Sequence, residues 1–336
     1  PCMPFVILPV DINASSLASI KPFLLQVITT VAFFHDTAKQ QIMATDVMRQ
    51  VSERMLIQGE KSMDLLQGLL VFLSWFNPHS FLPQNHTNFL HLAMALTVDL
   101  NIDRMPGLCE KVAMEAASKA HGIPQPAKTI SNDERRAVIG IFYLTSQIFT
   151  SFRKVDTLKW TPWLTECVNV LIHAQEYGSD TFLVQLVQTQ RIMHEVMSTE
   201  YDHAPVQFYA KSFLSDLDSI GSPSGDGTMA TVRRLQYACT RTAIWERSFA
   251  TLTANKVKEN DLRQRLDGMW RCMEAVKAYI DVYMEMPPED YLFVPFGVFA
   301  QFAYIFVVII RASSITTDGW DVKALREYID FSTLME

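Results

Sequence analysis

Residues 292–310 read LFVPFGVFAQFAYIFVVII, 19 positions without one charged side chain. That is the length of a membrane span, so the stretch decides whether the chain belongs in lipid or in water. Within it stand Pro295, Gly297, Gln301 and Tyr304, and the only basic flank is Arg311. A span would carry a stronger basic flank on one side. A helix apolar all round is equally what the centre of a large helical protein requires. With soluble helical patterns on every side, the stretch is read as a buried core helix, and no membrane partner is expected.

Working outward, helical periodicity recurs in nearly every segment, and alternation long enough for a half-buried strand hardly occurs. The expected fold is all-α, a multi-helix orthogonal array around the apolar helix near the C-terminus, forming a single domain over residues 1–336. After a loop at Pro9 to Ser19, KPFLLQVITTVAFF places Phe23, Val27, Thr30, Val31 and Phe34 at helical spacing. Ser62 can cap a helix carrying Leu65, Leu66, Leu69, Leu70, Leu73 and Phe76, stopped by Asn77-Pro78. The next carries Phe89, Leu92, Leu96 and Leu100 and ends near Asn101. Residues 105–131, with Pro106, Pro124 and Pro126, read as a flexible connection.

Asn132-Asp133-Glu134 is an N-terminal signal, since a cap oxygen satisfies orphan amides and the acids face the positive end of the dipole. The helix behind it buries Val138, Ile141, Phe142, Thr145, Ile148, Phe149 and Phe152. Thr161-Pro162 starts another helix with a cap and then proline, and Ser179-Asp180 a third, with Phe182, Leu183, Leu186, Val187, Gln190 and Met193 facing inward. Residues 216–228, DLDSIGSPSGDGT, are rich in Gly and Ser and read as an exposed loop. Beyond it, a long pattern runs from a cap at Asn260 to the stop at Pro287-Pro288.

The chain has 336 residues, of which 49% are hydrophobic and only 19% charged, below the usual charged share of about 25%. The surplus apolar surface is to be buried or to bind something. A net charge of −7 without any Lys/Arg cluster argues against direct nucleic-acid binding. The five cysteines, Cys2, Cys109, Cys167, Cys239 and Cys272, lack the close spacing of a zinc site or disulfide framework and are read as reduced thiols. The chain opens Pro1-Cys2-Met3-Pro4, with neither initiator methionine nor signal sequence, and is expected to be part of something longer.

Several blocks resemble the regulatory domain, or middle homology region, of fungal transcription factors with a six-cysteine binuclear zinc cluster. ERMLIQGEKSMDLLQGLLVFLSWF, residues 53–76, is similar to that family's Gly-Glu-x-Ser-Leu-Asp-Leu-Leu-Gln-Gly-Leu-Leu pattern with its aromatic end. HLAMALTVDLNIDR, residues 91–104, resembles its Ala-x-Asp-Leu-Gly-Leu-Asp-Arg ending. NDERRAVIGIFYLTSQIFTSFRKVDTLKWTPWLTECVNVL, residues 132–171, is similar to its Glu-Arg-Arg, Tyr-Tyr-Leu-Ser-Ser, Ser-Phe-Arg-Arg and Trp-Thr-Pro-Tyr run in order. DTFLVQLVQTQRIMHEV and the C-terminal segment with Gly319-Trp320-Asp321 extend the resemblance over nearly the whole chain. Two departures stand out: Asn101 replaces a usual Gly, and Lys154-Val155 stands where the family shows Arg-Pro.

The resemblance implies a regulatory domain in a sequence-specific factor acting on RNA polymerase II transcription in the nucleus, with the cytoplasm as the alternative. Its implied partners are the transcription machinery or regulatory proteins, with a small apolar effector and a homodimer as further candidates. Zinc is expected only in an N-terminal DNA-binding module that this chain lacks, and no other cofactor is expected. A freestanding helical interaction module is the alternative reading.

Catalytic and metal-binding readings are weak. His79, His86 and His91 fall on different faces and have no accompanying carboxylate. Gly225-Asp226-Gly227-Thr228-Met229-Ala230 formally fits a dinucleotide fingerprint, but no strand precedes it. Gly221 to Gly225 has proline where a nucleophile elbow needs serine, so no enzyme is expected. The sixteen methionines and the Phe-rich C-terminal helix could line an apolar pocket, although ordinary core filling explains them better. For such a pocket Arg153, Lys154 and Trp160 are the candidate mouth residues, because they follow the buried helix that ends in Phe152.

Overall fold

A computed structural model describes residues 3–75, 86–105, 129–152, 158–200, 205–249 and 259–329. Among the described residues there are thirteen α-helices and no strand, so the chain is all-α as the periodicity predicts. They are α1 (Ala14–Ile20), α2 (Pro22–Ala32), α3 (Thr37–Val51), α4 (Met63–Trp75), α5 (His86–Asp99), α6 (Asn132–Phe152) and α7 (Pro162–Ala174). Then follow α8 (Ser179–Ser198), α9 (Val206–Ser219), α10 (Thr228–Glu246), α11 (Glu259–Met284), α12 (Phe296–Ser313) and α13 (Val322–Tyr328). The expected stop at Asn77-Pro78 and nearly all of the expected connection over 105–131 lie outside the described residues.

The chain divides into two compact units. The first comprises Met3–Thr145 and Asp156–Val184, the second Ser146–Val155 and Gln185–Glu336 with Pro1–Cys2.

In the first unit α2 packs along α4, burying Phe23, Leu24 and Val27 with Leu65, Leu66, Leu69, Leu70 and Leu73. Gly68 permits the approach, since a Cβ there would collide with the Phe23 ring. Ser62 caps α4 as its position suggests, accepting the Leu65 amide at 3.3 Å. Two helices escape an apolar reading. The segment expected as a loop from Pro9 to Ser19 contains most of α1, capped by Asn13 at 2.9 Å. Only Leu17 of α1 is buried, so no apolar stripe marks it. Helix α3 buries Gln40, Ala44, Val47 and Val51, which hold helical spacing but are small or polar.

The second unit centres on α10 and α11, with α12 against both. Helix α12 holds most of the charge-free stretch, and its inward face is Phe296, Gly297, Val298, Ala300, Gln301, Tyr304, Ile305, Val308, Ile309 and Ala312. Of its 18 residues, 56% are buried within the protein, as the core-helix reading requires. The Tyr304 hydroxyl donates to Glu246 at 2.7 Å, and Arg311 holds the other carboxylate oxygen at 2.8 Å. That pairing satisfies the polar end of an otherwise greasy helix.

Two boundaries differ from the periodic reading. Residues 216–219 close α9 as its last turn, so the Gly/Ser-rich loop is 220–227. A single buried leucine, Leu217, in an otherwise polar and exposed turn is too little apolar signal to distinguish it from a loop. Helix α11 is described from Glu259, one residue before the expected cap Asn260.

Candidate functional site

The motif blocks build joints between helices. Gly59, at φ +66°, turns the chain out of the π-helical turn Ser52–Ile57. Glu60 then meets Arg54 in two 2.7 Å bonds and accepts the Ser62 hydroxyl at 2.8 Å. The hydrogen bonds from Arg54 hold the Glu60 carboxyl below its ordinary value, against the opposing effect of burial. Four residues beyond Glu60, Asp64 accepts the Phe23 and Leu24 amides at 3.1 and 2.8 Å. It thereby serves the orphan donors at the start of α2, whose own leading residue Lys21 gives no side-chain cap.

The Glu-Arg-Arg block is a second joint. Glu134 and Ser131 form a capping box: the Ser131 hydroxyl accepts the Glu134 amide at 3.2 Å, and Glu134 accepts the Ser131 amide at 2.8 Å. The cap is thus one residue before the expected Asn132, which instead donates to Glu176 at 3.1 Å. Arg136 has no exposed side-chain surface and grips Asp180, equally buried, through Nε at 2.8 Å and Nη2 at 3.0 Å. It also reaches Glu176 at 2.8 Å and Asp133 at 3.0 Å, and lies 4.7 Å over the Tyr177 ring. Burial works against its charge, but the bonds from Asp180 and Glu176 outweigh that and raise its pKa.

The tryptophans of the motifs are tied likewise. Trp163 donates to the Ile102 carbonyl at 2.8 Å, and Trp320 to the Ala312 carbonyl at 3.0 Å while packing 5.2 Å from Trp270. Asn101, at φ +54°, occupies the left-handed position that explains why the similar family places Gly there.

Of the candidate mouth residues, Arg153 and Lys154 lie outside the described residues. Trp160 is half-buried, donates to Thr165 at 2.9 Å and stands edge-on to Phe142 at 4.9 Å.

A cleft of about 440 Å³ lies elsewhere, in the second unit. One wall is a face of α9, namely Gln207, Lys211, Leu214, Ser215 and Asp218; Trp245 of α10 and Arg271 of α11 complete it. The Arg271 guanidinium sits 5.4 Å from the Trp245 ring and is anchored by Asp267 at 2.8 Å, the bond that raises its pKa. Gln207 donates to the Gln264 carbonyl at 2.8 Å, fastening α9 to α11. Asp218 accepts the Tyr237 hydroxyl at 2.7 Å. Phe208, 71% exposed, stands one turn before Lys211.

This lining offers an aromatic and aliphatic floor, two cations and several hydrogen-bonding groups. None of the lining residues forms an acid–base pair or an activated nucleophile. Sequence reasoning missed it because its residues come from three helices, and α9 shows only Ala210 and Leu217 as a buried stripe. Among the described residues no His/Cys/Asp/Glu group could hold a metal ion. His86 is buried in α5 with its pKa pushed down to about 4 by desolvation, whereas His91 is exposed.

By class the chain is an all-helical protein whose motif residues tie one helix to another. The family model described as WAR1 C-terminal domain matches residues 1–313, and the chain belongs to that family. It is 26% identical over 353 residues to Transcription factor opdL of Penicillium oxalicum, covering 99% of this chain and 61% of that protein. It is 33% identical over 203 residues to Transcription factor himD of Aspergillus japonicus, covering 60% and 33%. Transcriptional regulator WAR1 of Candida albicans is 23% identical over 184 residues, covering 52% and 18%. The chain thus spans about three-fifths of the length of the first of these relatives and a third of the second. No solved structure matches it.

Proposed function

We propose that the chain is the regulatory domain of a fungal sequence-specific transcription factor, controlling RNA polymerase II transcription in the nucleus through an effector or protein partner. The observation that carries this reading is membership of the WAR1 C-terminal domain family over residues 1–313, together with relatives named as transcription factors. DNA recognition and zinc belong to a separate module in this scheme. The cleft between α9, Trp245 and Arg271 is its contact point, where an apolar group would pack on Leu214 and polar groups would meet Lys211, Gln207 and Arg271. An effector acts there only through different affinity for two states of the domain.

The test is to tether residues 1–336 to a heterologous DNA-binding domain of known operator in a fungal reporter strain. Output should change on tethering, and Lys211→Ala or Arg271→Ala should alter the response several-fold. Reporter output indistinguishable from that of the bare DNA-binding domain, across growth conditions, refutes the proposal.

A further inference from the structure

The loop 220–227, between α9 and α10, carries the sequence Gly221-Ser222-Pro223-Ser224-Gly225. Of the serines and threonines in the sequence, only Thr161 and Ser222 directly precede a proline. Thr161 is committed to capping α7, its hydroxyl accepting the Leu164 amide at 3.4 Å. Ser222 is exposed and makes no hydrogen bond among the described residues. Glycines flank it on both sides, Gly221 at φ +93° and Gly225 at φ +102°, which leaves the segment free of bulk.

Beside this loop stands an arginine without a counter-charge. Arg233, in the second turn of α10, donates from Nη2 to the Gly221 carbonyl at 3.1 Å, the residue directly before Ser222. It has no carboxylate within ion-pair distance among the described residues. Burial lowers its pKa, as expected for a partly desolvated cation with no anion beside it. The carboxylate one turn earlier on α9, Asp218, is engaged by Tyr237, four residues beyond Arg233 on α10. Arg233 and Tyr237 therefore hold the end of α9 and the start of the loop against one face of α10. Gly227 contributes no side-chain cap, so the first α10 amides add positive potential at the far end of the loop.

We propose that Ser222 is the acceptor for a proline-directed protein kinase, and that Arg233 receives the phosphate. The Ser222 hydroxyl oxygen attacks the γ-phosphorus of the kinase-bound nucleoside triphosphate, forming the new P–O bond. The bond to the β–γ bridging oxygen breaks, the diphosphate leaves with its electron pair, and the hydroxyl proton passes to the kinase's carboxylate base. The resulting charge of about −2 lies one residue from the carbonyl that Arg233 already holds, and a phosphate accepts guanidinium donors in a charge-assisted pair. The modification pins the loop to α10 and with it the α9 turn that ends the cleft wall at Asp218.

The test uses residues 1–336, treated with a proline-directed Ser/Thr kinase and ATP and mapped by peptide mass spectrometry. In parallel, phosphoserine is placed at position 222 during translation, so that the structural half does not depend on the kinase chosen. One phosphate should appear on the peptide containing Ser222 and vanish in Ser222→Ala. Amide exchange across 220–227 should slow on the order of tenfold in the phosphorylated protein. Arg233→Gln should abolish that slowing, while Arg241→Gln on the same helix should retain it. Phosphate found only elsewhere, no phosphate at all, or slowing that survives Arg233→Gln overturns the proposal.

Discussion

Replacing Arg136 with leucine isolates the strongest polar joint of the first unit. The wild-type guanidinium and the Asp180 carboxylate both have 0% side-chain exposure and meet through two bonds of 2.8 and 3.0 Å. Removing one member strands the other, and a buried pair broken in that way costs about 3–5 kcal/mol. Asp133 and Glu176, with 39% and 46% of their side chains exposed, add only about 0–1 kcal/mol each because water screens them. After the substitution the Asp180 carboxylate keeps the Tyr177 amide as a donor, at 3.0 Å. With a urea m-value of about 2–3 kcal/mol/M, the midpoint should fall by about 1–2.5 M. Arg136→Leu combined with Asp180→Leu should recover much of the loss, leaving about 1–2 kcal/mol for the unmet Tyr177 amide. A single-variant cost below about 1 kcal/mol, or a double variant as unstable as the sum of the two singles, would refute the buried-pair account.

Three further outcomes follow from the packing and charge. His86, with its pKa lowered from 6.5 to about 4 by burial, binds a proton less readily folded than unfolded. Stability is therefore complete above pH 6.5 and declines as pH falls towards 4, by up to about 3 kcal/mol; denaturation curves across that range should show the slope, and His86→Phe should flatten it. A Cβ at Gly140 would stand 2.7 Å from Cγ of the buried Phe5, so Gly140→Ala should cost about 1–3 kcal/mol by chemical denaturation. Asn101→Gly relieves a left-handed residue at φ +54° and should raise the thermal midpoint, for a gain of about 0.5–1 kcal/mol.

The helices legible in the sequence are those with a continuous apolar stripe or a chemical stop: α2, α4, α6, α7 and α12 all lie where periodicity and caps place them. The helices it hid are short or polar on their buried side. Helix α1 buries one leucine, and α3 turns Gln40 and Ala44 inward, so neither raises an amphipathic signal. The cleft was illegible for a different reason. Trp245 lies 26 or more residues in sequence from every α9 residue and 26 from Arg271, and nothing local to any of them marks their meeting. Periodicity reports which face of a helix is buried, not which other helix covers it.

The division of labour between motif and cleft bears on how such a domain can change its response while keeping its fold. Asp64, Arg136, Trp163 and Trp320 each spend their polar groups on another helix or backbone segment, so a change there unsettles packing before it can alter binding. Lys211, Ser215 and Asp218 line the cleft from the solvent-facing side of α9, where substitutions cost little stability. A variant set drawn from the cleft should therefore shift reporter response with thermal midpoints nearly constant. A set drawn from the motif joints should lower the midpoint and lose response in proportion to the folded fraction. If instead mild joint variants that remain fully folded changed the response selectively, the joints themselves would be the two-state element through which the domain is read.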